Sequence, residues 1–339
     1  MSLPVAAFDG SPEEWNGFVG AARGATHCHR WEWLDVIREA LGHETMALAV
    51  RQGGVLEGVL PLVRVRTRLF GHYLVSMPFL NDGGPLGSSA AVTLLVEEAR
   101  RLGRDGRVNL LELRCREPIE TVLRVSHRKI TVILPLDPDP DLVFGRFPAK
   151  LRSQVRRPER EGVEYRFGAD QVGDFYRVFA HHMRDLGTPV LSSRFFEGIA
   201  QRFGDAAWFG VARLDGAPIA AGAGFRQGEE FEITWASSLR SHSRIAPNMG
   251  LYWTFMSRAA REGCTRFNFG RCTPGGGTHK FKRQWGGEDV QLHWYQDGPA
   301  GLTPTPDQGG LMQWAPKVWS RLPLPIANAL GPHIVRGIP

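Results

Sequence analysis

The sequence predicts an α/β (α+β) protein made of two halves in which the elements follow the same order. Two hairpin signals support this prediction, because strand-like apolar runs flank Gln52-Gly53-Gly54 in the first half and Asp215-Gly216 in the second. In each half, helices precede the hairpin, and a strand, a loop, a helix and a further strand follow it. A chain of 339 residues is also long for one core, so two domains are expected.

In the first half, each element is predicted from caps, apolar spacing and turn residues. Ser11 is a candidate N-cap, followed by Pro12 and two glutamates, which predicts a helix over 11–20. A second helix is predicted to end at Gly42. The remaining predictions are strands over 45–50, 55–65 and 73–79, a helix over 90–102, and a strand over 108–113 beside which the run 129–134 pairs.

The second half repeats the order with a basic start. Its predicted elements are helices over 148–160 and 171–186, strands over 208–214, 219–227 and 230–237, a helix over 248–262, and a short strand at 267–269. These elements divide the chain into an N-terminal domain over 1–135, a C-terminal domain over 136–298 and a linker with a tail over 299–339.

Composition narrows the class of protein and its partners. A formal net charge of +6 favours anionic partners such as nucleotides, tRNA or a membrane surface. The four cysteines lack CxxC spacing and the first residues lack a basic and apolar leader, so a cytoplasmic protein with free thiols is expected. Beyond Tyr295, Gly, Pro and Thr predict a linker, and the following apolar and basic tail either packs on the body or contacts a membrane surface or partner.

The stretch from Arg266 to Gly287 is the strongest candidate site. A short aromatic strand is followed by Gly275, Gly276 and Gly277, which expose backbone N–H groups, and the cations Arg271, Lys280, Lys282 and Arg283 lie in the same stretch. Phe281 and Trp285, four residues apart, are predicted to anchor this loop. A polyanion site is the functional interpretation, and a mobile basic surface loop is the alternative.

Six motifs in order resemble those of FemAB-like proteins of the GNAT superfamily, and most closely the branch associated with XrtA/PEP-CTERM systems. They are PLV, LVSMPFLNDGGPLG, FPAKLRSQVRRPEREG, HHMRDLGTPVLSSRFF, NFGR with GTHKFKRQWGG, and WSRLPLPIANALG. The resemblance covers nearly the whole chain. It implies two tandem GNAT-like domains and transfer of an aminoacyl group from aminoacyl-tRNA, or of an acyl group from acyl-CoA, with no bound cofactor.

The resemblance also assigns roles to particular residues. The family's phenylalanine-lysine pair falls on Phe281 and Lys282, which implies that Lys282 serves the reaction centre. The superfamily's RxxGxG pyrophosphate loop would fall between Arg240 and Gly250, where the sequence is RSHSRIAPNMG. The coenzyme A signature is therefore absent, and this departure counts against an ordinary acetyl-CoA enzyme.

Acyl transfer to an amine needs a cation near the oxyanion and a group that takes a proton. Lys282 is the candidate for the first role. Glu232, in the middle of a predicted strand, is the candidate base, and its alternative is a solvent-facing carboxylate. Metal binding is not expected, because His27, Cys28 and His29 are adjacent and lack a second ligand pair. The candidate substrate-binding residues are Lys150, Arg152, Arg156, Asn248, Tyr252, Arg271, Lys280 and Trp285.

Two functions remain open from the sequence. The first is a cytoplasmic acyltransferase, at the inner face of the membrane if the tail contacts it, that acts on an amine of a phosphate-bearing cell-envelope or exopolysaccharide-related acceptor. The second is a non-catalytic protein that binds tRNA or a nucleotide-linked glycan through the same basic residues. Glu232 separates them, because a binder of anions has no need of a carboxylate among its cations.

Overall fold

The computed structural model describes residues 4–67, 70–299 and 315–338. The chain forms two compact units, each built around one sheet. The first unit comprises Met1–Lys129, Gln291–Gly309 and His333–Pro339, and the second comprises Ile130–Val290 and Gly310–Pro332. The sequence-based division at 135 and 298 differs from these boundaries, because each unit takes one strand from the stretch predicted to belong to the other.

The first unit has an eight-stranded sheet with the order β1-β2-β3-β4-β6-β15-β7, and β5 pairs with β3. Its strands are β1 (Val5–Ala7), β2 (Glu44–Gln52), β3 (Val55–Thr67), β4 (Gly71–Val75), β5 (Leu86–Gly87), β6 (Leu110–Cys115), β7 (Arg124–Ser126) and β15 (His293–Asp297). Its helices are α1 (Pro12–Ala21), α2 (Glu32–Leu41) and α3 (Ser89–Asp105).

The hairpin turn and both predicted helix caps in this unit are confirmed, whereas the strand predicted over 73–79 ends at Val75. Gln52 pairs with Val55 across the predicted hairpin turn. The Ser11 side chain accepts a hydrogen bond from the Glu14 N–H, and Gly42 ends α2 with a φ of 71°, which only glycine adopts easily. These contacts satisfy backbone groups that the ends of helices leave open.

The second unit has a seven-stranded sheet with the order β14-β8-β13-β12-β11-β10-β9. Its strands are β8 (Ile130–Pro135), β9 (Glu164–Phe167), β10 (Ala207–Leu214), β11 (Ala217–Gln227), β12 (Glu230–Ser238), β13 (Arg266–Cys272) and β14 (Glu288–Gln291). Its helices are α4 (Pro140–Gly145), α5 (Ala149–Arg160), α6 (Val172–Asp185), α7 (Ser193–Phe203), α8 (Pro247–Arg261), α9 (Gly277–Arg283), α10 (Ala315–Trp319) and α11 (Leu324–Val335), of which α11 ends just past the unit boundary.

One predicted pairing is wrong. The run 129–134 was expected beside the strand at 108–113, but β8 pairs antiparallel with β13 in the second sheet. The place beside β6 is taken by β15, whose Tyr295 pairs with Leu113. The reason is non-local, because Ile130, Val132 and Leu134 fill the core of the second unit and not that of the first.

The core of the second unit is aromatic and positions the central strands. Phe231 of β12 and Phe267 of β13 stack with ring centroids 5.7 Å apart, and Phe231 also stacks on Phe255 of α8 at 5.5 Å. Successive residues of a strand point to opposite faces, so the residue that follows Phe231 and the residue that follows Phe267 point away from α8. Glu232 and Asn268 occupy those positions.

None of the helices in the described ranges is both long and apolar enough to cross a lipid bilayer. The predicted linker lies largely outside the described residues. Of the predicted tail, α10 and α11 are described.

Candidate active site

The candidate site lies where β12 and β13 separate. Within the described residues, these parallel strands pair only from Glu230 with Arg266 to Glu232 with Asn268, although β12 continues to Ser238 and β13 to Cys272. Gly270 has a φ of 71°, and the pairing of β13 with β8 shifts register between Asn268 and Arg271. The irregularity on β13 therefore lies at the point beyond which this strand no longer pairs with β12 in the described ranges.

A buried polar network occupies the point of separation. Glu232 and Asn268 are each 1% exposed. The Asn268 amide donates to Glu232 Oε2 at 3.1 Å and to Glu230 Oε1 at 3.0 Å, and its oxygen accepts from the Gly270 N–H at 2.8 Å and from the Thr131 hydroxyl. The solvent-facing alternative for Glu232 is therefore excluded, because in-register partners on adjacent strands share one face and this face is covered.

Lys282 is held beside this network. It lies on α9 and is 4% exposed, and its Nζ donates to the carbonyls of Gly270 at 2.6 Å and of Arg271 at 2.9 Å. Burial lowers the pKa of Lys282 to about 8, and the nearby Cys272 and Glu232 oppose that shift. An ammonium has three N–H donors, so one remains beyond the two carbonyls.

The glycine-rich loop is shorter than predicted, because α9 begins at Gly277 and carries the lysines on a helix. His279 fixes the preceding turn: its Nδ1 accepts from the Gly275 N–H at 3.0 Å, and its Nε2 lies 3.0 Å from Asp289 on β14. Lys282 therefore lies on a helix and not on a mobile surface loop, although the preceding glycines are exposed.

The predicted anchors Phe281 and Trp285 both belong to the hydrophobic core of the second unit or pack against it, and so does Tyr252. Trp285 is 1% exposed and packs on Phe147 at 5.4 Å, and Tyr252 is 8% exposed and packs on Phe281 at 5.0 Å. Both were predicted to bind substrate. Their burial makes them core residues in this structure, and burial also raises the pKa of Tyr252.

The other predicted residues of the opening differ in exposure. Arg271 is half-buried on β13, where its carbonyl receives Lys282. Asn248 is half-buried in the first turn of α8, where free N–H groups favour anions, and Lys280 is exposed on α9. These three residues and Lys282 belong to adjacent elements of one unit.

The basic helix α5 is partly structural. Arg152 donates to the carbonyls of Gly145 at 3.0 Å and of Phe147 at 2.8 Å, which satisfies the end of α4. The Arg156 guanidinium stacks over Phe144 at 4.9 Å, and Lys150 is exposed.

Sequence reasoning missed Asn268, Glu230, Thr131 and the pair of His279 with Asp289. The available signal was the polar residue between two aromatics in FNF, which places a polar side chain beside Glu232 once the two strands pair. Among the described residues, no group of three or more His, Cys, Asp and Glu side chains could hold a metal ion.

Residues 145–283 match the acetyltransferase (GNAT) domain family, and this range contains Lys150, Glu232 and Lys282. No curated protein matches the chain in sequence. FemX resembles the chain in structure, with a TM-score of 0.67, 14% identity, and coverage of 86% of this chain and 97% of that one.

Two further solved structures resemble the chain over most of its length. The C-terminal domain of a predicted lysylphosphatidylglycerol synthetase from Agrobacterium fabrum has a TM-score of 0.57, 12% identity, and coverage of 85% of this chain and 91% of that one. A tandem GNAT protein from the clavulanic acid biosynthesis pathway has a TM-score of 0.51, 14% identity, and coverage of 88% and 99%. The chain therefore has the mixed α/β fold of tandem GNAT and FemX-type proteins, and the GNAT match over residues 145–283 supports an acyltransferase.

Proposed function

We propose that the protein is a FemAB-like acyltransferase that transfers an aminoacyl group from aminoacyl-tRNA to an amine of a phosphate-bearing acceptor. The acceptor belongs to the cell envelope or to exopolysaccharide synthesis, in line with the resemblance to the XrtA/PEP-CTERM branch. The observation that carries this proposal is the buried ammonium of Lys282 at the separation of β12 and β13, within the stretch that matches a GNAT domain.

The chemistry of transfer uses this arrangement. The acceptor amine attacks the ester carbonyl of the donor, the carbonyl oxygen becomes an oxyanion, and the ester C–O bond then breaks. The third N–H of Lys282 stabilises the oxyanion inside a site of low dielectric, where a charge-assisted hydrogen bond is strong. The amine proton passes to the leaving ribose oxygen, either directly or through Glu232, which Asn268 orients.

Aminoacyl-tRNA is favoured over acyl-CoA as the donor because of the loop before α8. This loop forms a 3-10 helix over Arg240–Ile245, and Pro247 begins α8 without the glycines of a pyrophosphate loop. Proline has no N–H to give to a phosphate, so one backbone donor of the helix start is missing. An acyl-CoA-dependent N-acyltransferase is the second candidate, supported by the GNAT domain match.

The rival from another class is a non-catalytic protein that binds tRNA or a nucleotide-linked glycan. Such a protein uses exposed cations such as Lys150 and Lys280 but has no need of a carboxylate buried beside Lys282. The buried network of Glu232 and Asn268 therefore favours the enzyme.

The test compares two donors on one acceptor. The full chain is incubated with a nucleotide-linked peptidoglycan precursor and either charged tRNA or acetyl-CoA, and the acceptor is analysed by mass spectrometry. A mass increase of one aminoacyl residue with charged tRNA alone supports the proposal. An acetyl shift supports the second candidate, whereas tRNA binding without any transfer supports the rival. Uncharged tRNA is the matched control.

A further inference from the structure

In the C-terminal helix α11, two small residues are buried while two large apolar residues are exposed. Ala327 is 2% exposed and Gly331 is also buried, whereas Ile326 is 46% exposed and Leu330 is 48% exposed. Residues four apart share one face of a helix, so each pair defines a face. A helix that served only the core would turn the larger pair inward, because burying a Leu or Ile side chain stabilises the fold more than burying Ala or Gly.

The tail is fixed to the second unit by specific contacts. A Cβ on Gly331 would stand 3.0 Å from the Val190 nitrogen, and a Cβ on Gly187 would stand 2.7 Å from the Cα of Pro316. The Arg184 side chain donates to the Leu322 carbonyl at 3.1 Å. The outward direction of Ile326 and Leu330 is therefore set by close backbone packing.

Other exposed apolar side chains lie in the same part of the unit. Val318 is 61% exposed, and Leu186, which precedes the Gly187 contact, is 50% exposed. Four of the eight large apolar side chains that are exposed in the described ranges thus belong to the tail or to the segment on which it rests. Such clustering is typical of an interaction surface, because single exposed apolar residues are usually scattered.

The charge of this segment indicates what the surface contacts. No Asp or Glu occurs from Gln308 to Pro339, whereas Lys317 and Arg321 lie beside the exposed apolar residues of the tail and are exposed themselves. We call Lys317, Val318, Arg321, Ile326 and Leu330 the tail face. Apolar residues flanked by basic ones, with no acid, match an anionic lipid surface.

We propose that the tail face docks on an anionic lipid bilayer and lies in the plane of its interface. A twelve-residue helix is about 18 Å long and cannot span a hydrocarbon core of about 30 Å. A symmetric dimer through this face is disfavoured, because it would bring identical basic patches together. The proposal is independent of the reaction at Lys282, since vesicle binding needs no donor or acceptor.

The test measures partition of the full chain into sedimented vesicles. The vesicles contain phosphatidylcholine alone or with about 30% phosphatidylglycerol. Wild type is expected to bind the anionic vesicles at least about tenfold more strongly than the neutral ones, because the basic residues of the tail face are attracted to the negative surface. Lys317→Glu with Arg321→Glu removes this preference. Ile326→Ser with Leu330→Ser is expected to lower vesicle binding at least about tenfold, because the two apolar side chains no longer enter the lipid. Both side chains are already exposed, so their replacement should leave the fold intact.

The matched control is Val55→Ser with Val122→Ser, which removes two apolar side chains of the first unit that are even more exposed, and it is expected to leave binding within about twofold. Equal vesicle binding by wild type and the Ile326→Ser with Leu330→Ser variant overturns the proposal. The proposal is also overturned if wild type does not bind anionic vesicles. It is overturned as well if sedimentation without lipid shows a dimer that the Ile326→Ser with Leu330→Ser variant no longer forms.

Discussion

Replacement of Lys282 by methionine should change how the stability of the protein depends on pH. Methionine keeps an unbranched chain of similar length but carries no charge, so the packing of the stem is retained while the buried ammonium is removed. Because burial lowers the pKa of Lys282 from its usual 10.5 to about 8, the folded state holds this proton less tightly than the unfolded state.

The sign and the magnitude follow from proton linkage. Below pH 8 both states of wild type carry the charge, and the folded state bears a constant cost of about 3 kcal/mol, an order-of-magnitude value for the shift from 10.5 to about 8. Between pH 8 and 10.5 the folded state loses the proton first, so the free energy of unfolding of wild type rises relative to that of Lys282→Met. Above 10.5 the difference is constant again.

The assay is urea unfolding of both proteins at several pH values from 7 to 10, because titrations common to both cancel in the difference. We expect the free energy of unfolding of wild type to rise relative to that of the Met variant by an amount approaching 3 kcal/mol over the upper part of this range. If the difference between the two proteins stays constant with pH, or if the free energy of unfolding of wild type falls relative to that of the Met variant as pH rises, Lys282 is not a destabilised buried ammonium.

Three further predictions concern other residues of the second unit. Glu232→Gln keeps the shape of the buried network and should lower kcat by about a hundredfold if the carboxylate takes the amine proton, whereas unchanged turnover in the donor assay removes it from the mechanism. Arg156→Ala should weaken binding of a phosphorylated ligand by about 1 to 3 kcal/mol, and unchanged affinity with weak salt dependence, measured by calorimetry, would make Arg156 a surface cation. Gly250→Ala should lower the stability measured by thermal unfolding by about 1 to 3 kcal/mol, because its Cβ would overlap the buried hydroxyl of Tyr165 on β9. The control Gly173→Ala has open space around its Cβ and should raise the stability by about 0.5 to 1 kcal/mol. Equal effects of the two variants would contradict this explanation.

Local chemistry was sufficient to predict most elements of the fold. The turn at Gln52 to Gly54 and the turn at Asp215-Gly216 each contain residues that adopt positive φ, and both hairpins form there. The C-cap at Gly42 follows the same reasoning. What failed was long-range pairing: whether 130–135 joins the first or second sheet depends on which core its side chains fill, and no local signal contains that information.

The candidate site was only partly predicted, because it also depends on contacts between distant parts of the chain. The stretch around Lys282 was located from its glycines, cations and aromatics, but its short helix and the depth of burial were not, because covering elements come from distant parts of the chain. Glu232 could be placed on a strand, yet only pairing with β13 brings Asn268 to it. Arg152 was predicted to bind substrate, but its side chain donates a hydrogen bond to the Gly145 carbonyl at the end of α4. A basic run in the sequence does not show which of its cations make such structural contacts.

The central claim is that Lys282 stabilises charge that develops during acyl transfer. The most direct measurement is kcat of Lys282→Ala with the donor that the mass assay identifies, on protein shown to be folded. The account predicts a fall of about a hundredfold or more, about 2.7 kcal/mol, with little change in substrate affinity. Lys282→Arg should recover only part of the rate, because a planar guanidinium cannot replace a compact ammonium between two carbonyls. A kcat of Lys282→Ala equal to that of wild type would contradict the claim. Lys282 would then be a buried structural residue that links α9 to β13 by hydrogen bonds.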